Sequence, residues 1–201
     1  MIPWKCFCGV DPGFTGAISF IFIDSSKTVQ DVLIIPMPIL KTIECGELKT
    51  KVNYKDIDDI FKEYKDQIIT ATVESQQVMP THVYGRDQNG KSIIVENIPA
   101  KASNMFKLAE QYGCLRMSLV SNGITYNLVH PKVWQGKIFP MVRSYGTKKT
   151  SIERAKELYP TANLIPDRAR TERHGHSDSL LLAHYGKLLH ESNNSMVLYE
   201  R

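Results

Sequence analysis

The chain has 201 residues, of which 42% are hydrophobic and 23% are charged, with a formal net charge of +4 at pH 7. This is the composition of an ordinary folded domain, and the basic balance permits a nucleic-acid partner without requiring one. The apolar run from Ile18 to Ile23 is far shorter than the roughly 18 residues of a spanning helix, and no signal peptide is apparent. We therefore expect one domain over residues 1–190, a frayed tail at 191–201 and a cytoplasmic location, with an organelle matrix or nucleoid as the alternative.

The four cysteines predict neither a disulfide framework nor a zinc site. Cys6 and Cys8 alternate on one predicted strand, and Cys45 and Cys114 lie far from them in the chain. No C-x-x-C spacing occurs, so we expect free, buried thiols.

The first part of the chain predicts an antiparallel meander. Phe7 to Val10 and Ala17 to Ile23 are rich in β-branched and aromatic residues and are joined by a turn at Pro12-Gly13. A third strand is predicted over Val32 to Pro36.

The remainder of the chain alternates helical and strand patterns. The predicted helices are Asn53 to Tyr64 (with Asn53 as the cap), Asn104 to Asn122, Lys148 to Leu158 and Ser177 to Leu189; the predicted strands are Ile68 to Val73 and Ile124 to Val129. Residues from Met79 to Lys101 have no steady period and predict a long functional loop. This order indicates an α/β fold with a mixed sheet and helices on its faces.

Three acids stand at the ends of predicted elements. Asp11 follows the first strand, Glu74 ends the fourth strand, and Asp178 begins an apolar helix. Functional groups gather outside the carboxyl ends of strands in α/β sheets, so the three side chains can meet at one edge. Each has an ordinary alternative: a turn residue for Asp11, solvent exposure for Glu74 and a helix-dipole charge for Asp178.

Carboxylates that meet in this way repel one another, which favours binding of a divalent cation between them. Oxygen ligands select Mg²⁺ or Mn²⁺, and two such ions can activate water and stabilise the leaving oxygen of a phosphodiester. His174 lies four residues before Asp178 and can share its helix face, as a metal ligand, as an acid or base, or as a polar loop residue.

Five motifs in this order resemble those of the RuvC-like Holliday-junction resolvases, in particular the phage-type members and the chloroplast resolvases of plants. They are "GVDPGFTGAISF", "TVESQQ", "HPKVW", "KKTSIERAKELYP" and "RHGHSDSLLLAHYG". The resemblance runs from about Phe7 to about Leu189, and its first and last motifs are the most specific.

The resemblance implies a ribonuclease H-like fold, with a five-stranded mixed sheet whose first three strands are antiparallel. It implies a homodimer that resolves four-way DNA junctions by paired symmetric cuts, with two Mg²⁺ ions per active site and Mn²⁺ as a substitute. Asp11, Glu74 and Asp178 match the family's acids, and His174 matches the histidine of chloroplast-type members. The chain departs from bacterial members at Gly175, where they carry an acid or a histidine, and has Asp178-Ser179 where many relatives have Asp-Ala or Glu-Ala.

Several basic and aromatic residues are candidate DNA contacts. Lys148 matches a family lysine near the scissile phosphate and is followed by Lys149; further cations that can follow the DNA backbone, or be plain surface charges, are Lys91, Lys101, Lys107, Lys132, Lys137 and Arg143. Tyr84 and Arg86 follow Glu74 in the segment where relatives probe the junction centre, and Tyr84 or Met79 can wedge between bases. Trp134 can stack on a base, but its position between apolar residues favours the core.

Two other functions share parts of this pattern. An actin-like or sugar-kinase phosphotransferase also begins with a D-x-G-x-T hairpin, although this chain is short for two lobes of that kind. A YqgF-like RNA-acting or non-catalytic relative would share the fold, and retention of all three acids favours catalysis. The helix from Asn104 to Asn122 is our candidate dimer interface.

Overall fold

A computed structural model describes residues 4–75, 81–86, 89, 91–98, 102–139, 148–166 and 171–197. The strands are β1 Lys5–Asp11, β2 Ala17–Ile23, β3 Val29–Pro36, β4 Ile39–Glu44, β5 Glu47–Val52, β6 Ile68–Glu74, β7 Thr81–Arg86, β8 Ser92–Ile98 and β9 Tyr126–Val129. The helices are α1 Tyr54–Tyr64, α2 Ala102–Ser121, α3 Pro131–Ile138, α4 Lys148–Leu158 and α5 His174–Val197.

The central sheet has five strands in the order β3-β2-β1-β6-β9. Strands β1, β2 and β3 pair antiparallel, whereas β6 runs parallel to both β1 and β9. The predicted mixed sheet with an antiparallel first half is confirmed. Because β1, β6 and β9 are parallel, their carboxyl ends lie at one edge, and this edge receives Asp11 and Glu74.

Apolar clusters cover both faces of this sheet, which explains why β2 is buried along its whole length. On one face, Phe20 packs with Phe61 of α1 and Leu119 of α2. On the other face, Phe7 packs with Trp134 of α3 and Leu181 of α5. Alternate residues of each strand therefore enter two separate cores.

Helix α5 crosses the sheet unusually closely because small residues face each other at the crossing. A Cβ on Gly9 would stand 2.0 Å from the carbonyl oxygen of Ser179 and 2.3 Å from the backbone nitrogen of Ala183. The hydroxyls of Ser19 and Ser179 are 2.6 Å apart at the same buried contact. Ser179 is thus hydrogen-bonded to the sheet, and the crossing fixes the helix that carries Asp178.

Outside this sheet, the structure corrects two expectations and adds one helix that the sequence did not predict. The predicted loop from Met79 to Lys101 is wrong, because its described residues form the antiparallel hairpin β7–β8. Helix α3 was not predicted. His130 caps its N-terminus, and Pro131 occupies its first turn. The tail that we expected to fray from residue 191 is helical as far as Val197.

Strands β4 and β5 form a hairpin that the sequence did not predict. Its turn contains Cys45 at φ 52° and Gly46 at φ 80°, the left-handed pair that favours a tight hairpin turn. The backbone nitrogen of Asn53 donates to the carbonyl of Pro38 at 2.8 Å, so the hairpin leaves and rejoins the chain at nearly one point. Asn53 then caps α1 by accepting from the backbone nitrogen of Asp56, as predicted.

All four cysteines are free thiols, as expected, but the expected burial holds only for Cys6 and Cys8, because Cys45 is exposed and Cys114 is partly exposed. Within the described ranges, none of the helices combines the length and the apolar character that crossing a membrane would take.

A tyrosine–histidine pair links helices α4 and α5. The hydroxyl of Tyr159 and Nδ1 of His184 are 2.7 Å apart. Burial, followed by the charges of Lys187 and Arg154, lowers the pKa of His184 to about 4 against the opposing charge of Glu191. The ring is therefore neutral near pH 7, and its Nδ1 shares a hydrogen bond with the tyrosine hydroxyl.

This pair makes the fold sensitive to acid. The unfolded chain protonates His184 near its ordinary pKa of about 6.5, so acidification towards pH 4 favours the unfolded state. Between pH 7 and pH 4.5, the unfolding free energy of the native protein should fall by about 1–3 kcal/mol more than that of His184→Gln. Urea unfolding of both proteins at the two pH values measures this difference. Equal acid sensitivity of the two proteins would contradict the prediction.

Candidate active site

Three acids from distant parts of the chain come together at the carboxyl edge of the sheet. Asp11 is the last residue of β1, and Glu74 is the last residue of the neighbouring strand β6. Asp178 lies in the first turns of α5, which packs across both strands. All three side chains are half-buried, so the fold holds the acids against its core while leaving them open to a ligand.

The charges of these acids influence one another's pKa values. Burial raises the pKa of Asp11 to about 8, with further contributions from Asp178 and then Glu74. Burial also raises the pKa of Glu74 to about 7, and the charge of Asp178 adds to this rise. The pKa of Asp178 is raised by burial as well. Near neutral pH the cluster therefore resists full ionisation unless a cation compensates it.

The donor chemistry of this cluster fits a hard divalent cation. Carboxylate oxygens are the preferred ligands of Mg²⁺ and Mn²⁺, and Oδ1 of Asp178 is buried without a hydrogen-bond partner. However, no group of three His, Cys, Asp or Glu side chains in the described parts of the chain stands close enough to form a finished metal site. The acids are within electrostatic range of one another, but they do not converge on one point.

His174 and Ser151 flank Asp178. His174 begins α5 one turn before Asp178, and its positive charge would lower the pKa of that acid. Ser151, which is buried on α4, hydrogen-bonds the Asp178 carboxylate and also lowers its pKa. The side chain of Asp178 is thus oriented from a second helix.

His176 lies outside this cluster. Its side chain is buried and hydrogen-bonds the backbone of Asn163.

Close packing explains why residue 175 is a glycine. A Cβ at this position would stand 2.0 Å from the carbonyl oxygen of Thr15 and 2.6 Å from Cα of Gly16. The first turn of α5 therefore rests on the backbone of the loop that follows Asp11. No residue with a Cβ can occupy position 175 while this contact exists, so close packing explains the glycine.

Trp134 faces the site from the core. Its side chain is fully buried, as the sequence favoured. Its indole N–H lies near the carboxylate of Glu74 and lowers the pKa of that acid, although Nε1 has no partner within hydrogen-bonding geometry among the described residues. Trp134 is therefore a neighbour of the active-site acid as well as a core residue.

The structure describes some of the predicted DNA-contacting side chains and leaves others outside the described residues. Lys132 and Lys137 are exposed on α3, which begins where β9 ends and so lies at the edge that carries the acids. Lys148 and Lys149 open α4, with Lys148 one turn before Ser151, but their side chains lie outside the described part of the structure. Arg86 is exposed at the end of β7; the side chain of Tyr84 and the whole of Arg143 and Met79 fall outside the described residues.

Comparison with solved structures identifies the architecture. The chain superposes on the structure of Thermus thermophilus RuvC with a TM-score of 0.50 and 10% sequence identity, over 93% of this chain and 97% of that chain. The chain has a RuvC-like, ribonuclease H-like fold. A structure of T. thermophilus RuvC in complex with a Holliday junction substrate matches with a TM-score of 0.49 and 11% identity, over 94% and 96% of the two chains.

Comparison of the sequence with protein families and with curated proteins finds no match.

Two neighbours of the acids were missed by sequence reasoning. Ser151 is a small polar residue inside a helix, which has no signature until the helix is docked on α5. The sequence contains a weak indication that Trp134 lies near Glu74. His130-Pro131 favours a helix start directly after β9, and β9 pairs with β6, so the first turn of α3 lies beside the end of β6.

Proposed function

We propose that this protein is a metal-dependent, structure-selective endodeoxyribonuclease that resolves four-way DNA junctions by paired symmetric phosphodiester hydrolysis, as a homodimer of the phage or chloroplast type. The observation that carries the proposal is the cluster of Asp11, Glu74 and Asp178, whose raised pKa values mark a site that a cation would stabilise. The five sequence motifs and the RuvC-like fold support the choice of a branched DNA as substrate.

The residues of this chain would divide the work as follows. Asp11, Glu74 and Asp178 would hold two Mg²⁺ or Mn²⁺ ions, with His174 or a water completing their ligands. Such ions activate a water and stabilise the leaving oxygen of a phosphodiester. Ser151 orients Asp178, the indole N–H of Trp134 faces Glu74, and His174 can hold or release a proton beside Asp178.

Cations at the same edge would hold the DNA. Lys132 and Lys137 are exposed there, and Lys148 would offset charge that develops on the phosphate. Lys149, Arg86, Tyr84 and Arg143 complete the proposed DNA contacts. The exposed Met117 and Val120 support the dimer interface that we predict on α2, and they place it at the last turns of this helix.

Cleavage assays on matched substrates test the proposal. A labelled four-way junction, a duplex, a flap and an RNA–DNA hybrid of the same sequences are incubated with protein and Mg²⁺, and then with a chelator. We expect paired cuts in the junction alone, and none with chelator. Preferred cutting of the hybrid would favour the RNA-acting relative, and metal-dependent ATP turnover without cutting would favour the phosphotransferase.

Metal binding can be measured without activity. The chain has only two tryptophans, so Trp4→Phe leaves Trp134, beside Glu74, as the single tryptophan fluorophore. We expect Mn²⁺, which is paramagnetic, to quench this fluorescence saturably, and we expect Mg²⁺ to compete with it. Adding Glu74→Gln should abolish saturable quenching. Unchanged quenching in that double variant would contradict metal binding at Glu74.

A further inference from the structure

A groove of about 380 Å³ lies beside the candidate active site, between the β4–β5 hairpin, the loop after β1 and the first turns of α2. Its volume is within the range of small-molecule and cofactor sites, about 300–1,000 Å³. None of the acids described above lines it. The groove is thus a separate surface whose contents the proposed chemistry leaves unassigned.

Two aromatic side chains stand open in this groove. Phe14 is 44% exposed and Phe106 is 72% exposed, although both are large apolar residues. A single exposed phenylalanine is unremarkable, but two that line one groove form an apolar platform that water solvates poorly.

Lysines surround this platform. Lys49 and Lys51 are two residues apart on β5, so they project from the same face of the hairpin. Lys107 approaches from α2, and Glu110 is the acid of the lining. Three cations against one anion make the groove attractive to phosphate groups.

We propose that this groove binds an unpaired segment of the DNA substrate, with bases stacked on Phe14 and Phe106 and phosphates held by Lys49, Lys51 and Lys107. The proposal rests on the proposed nuclease function and adds a substrate subsite to it. Phe14 lies three residues after Asp11, so the loop that follows this acid also forms one wall of the groove.

The chemistry of the groove favours unpaired bases over duplex. Stacking on aromatic side chains needs an open base face, and paired bases inside a helix offer none. Lysines alone would serve a duplex equally well through its phosphates. The two exposed phenylalanines therefore decide between these occupants.

Binding measurements in chelator test the subsite without cleavage. Anisotropy of a labelled single-stranded oligonucleotide and of a duplex of the same length is followed with the full chain over a series of salt concentrations. We expect Phe106→Ala and Phe14→Ala each to weaken single-strand binding about 5- to 150-fold with little effect on the salt dependence. Phe106→Tyr should retain affinity, because tyrosine keeps the ring.

The lysines give a different signature. Replacing Lys49 and Lys51 by alanine should reduce the slope of log K against log salt by about 1.4, since each phosphate contact on a single strand contributes about 0.7. Lys65→Ala is the control, because Lys65 is exposed just after α1 and does not line the groove.

The outcomes separate this subsite from the nuclease proposal. Equal loss of duplex and single-strand affinity, tighter binding of single-stranded RNA, or no change in any variant would overturn the subsite while leaving cleavage intact. A change of oligomeric mass in Phe106→Ala, by light scattering, would assign the groove to an interface between copies instead. Absence of all DNA binding by the native protein would reject the nuclease proposal itself.

Discussion

Replacing Asp11 by asparagine is expected to abolish DNA cleavage and to make the metal-free protein more stable. Both effects follow from the same charge. A carboxylate that would bind a metal ion is lost, and in chelator that carboxylate is disfavoured first by burial and then by the charges of Asp178 and Glu74. Activity should fall at least about 10²–10³-fold, whereas binding of a four-way junction should be retained.

The stability gain should depend on pH. The pKa of Asp11 is about 8 in the folded protein against an ordinary value of 3.8, so the folded state binds a proton more tightly than the unfolded state. The native protein therefore loses stability as the pH rises from about 4 to about 8. In chelator, we expect Asp11→Asn to gain about 1–3 kcal/mol at pH 8 and much less at pH 5.

Urea unfolding in chelator at both pH values checks this expectation. Asp31→Asn is the control, because Asp31 is exposed on β3. An Asp11→Asn protein that is less stable than the native one at pH 8 would show that neither burial nor the neighbouring acids destabilise the Asp11 carboxylate. One that still cuts junctions at the native rate would remove Asp11 from the metal site.

Replacing Gly9 by alanine is expected to have the largest effect on the fold. The new methyl group would meet backbone atoms of Ser179 and Ala183 at 2.0 and 2.3 Å, and backbone cannot rotate away as a flexible side chain can. Helix α5 must then move off β1, and Asp178 must move with it. We expect a loss of about 3–5 kcal/mol of unfolding free energy.

A second glycine provides the matched control. Gly113 lies within α2, and a Cβ there would have nothing within 4 Å, so Gly113→Ala should gain about 0.5–1 kcal/mol. Thermal and urea unfolding measure both variants. If Gly9→Ala is folded with native stability, α5 does not cross β1 as closely as the structure indicates.

The sheet and the acids could be predicted from sequence because their signals are local. Strand β2 is a continuous run of buried residues, and Asp11 and Glu74 interrupt or end such runs. The last motif likewise places Asp178 at the start of an apolar helix. These residues need no knowledge of distant partners to be singled out.

The missed features depend on contacts between distant segments or on exposed positions. Ile43 and Leu48 of the β4–β5 hairpin are directly paired and are 77% and 67% exposed, so burial does not produce the alternation by which strands are recognised. Helix α3 has only 8 residues, too few for a reliable period. The packing of Gly175 on Thr15 joins residues 160 positions apart in the chain, a distance that no sequence pattern encodes.

The hydrogen bond between Pro38 and Asn53 has a consequence for changes in the β4–β5 hairpin. It brings the two ends of the β4–β5 hairpin together, so the segment between them can lengthen, shorten or be exchanged without opening the central sheet. The acids and the helix that carries Asp178 belong to that sheet and its packing. A change in the length of the hairpin can therefore leave the edge that carries the acids in place, so the hairpin and the groove beside it can be altered separately from the acids.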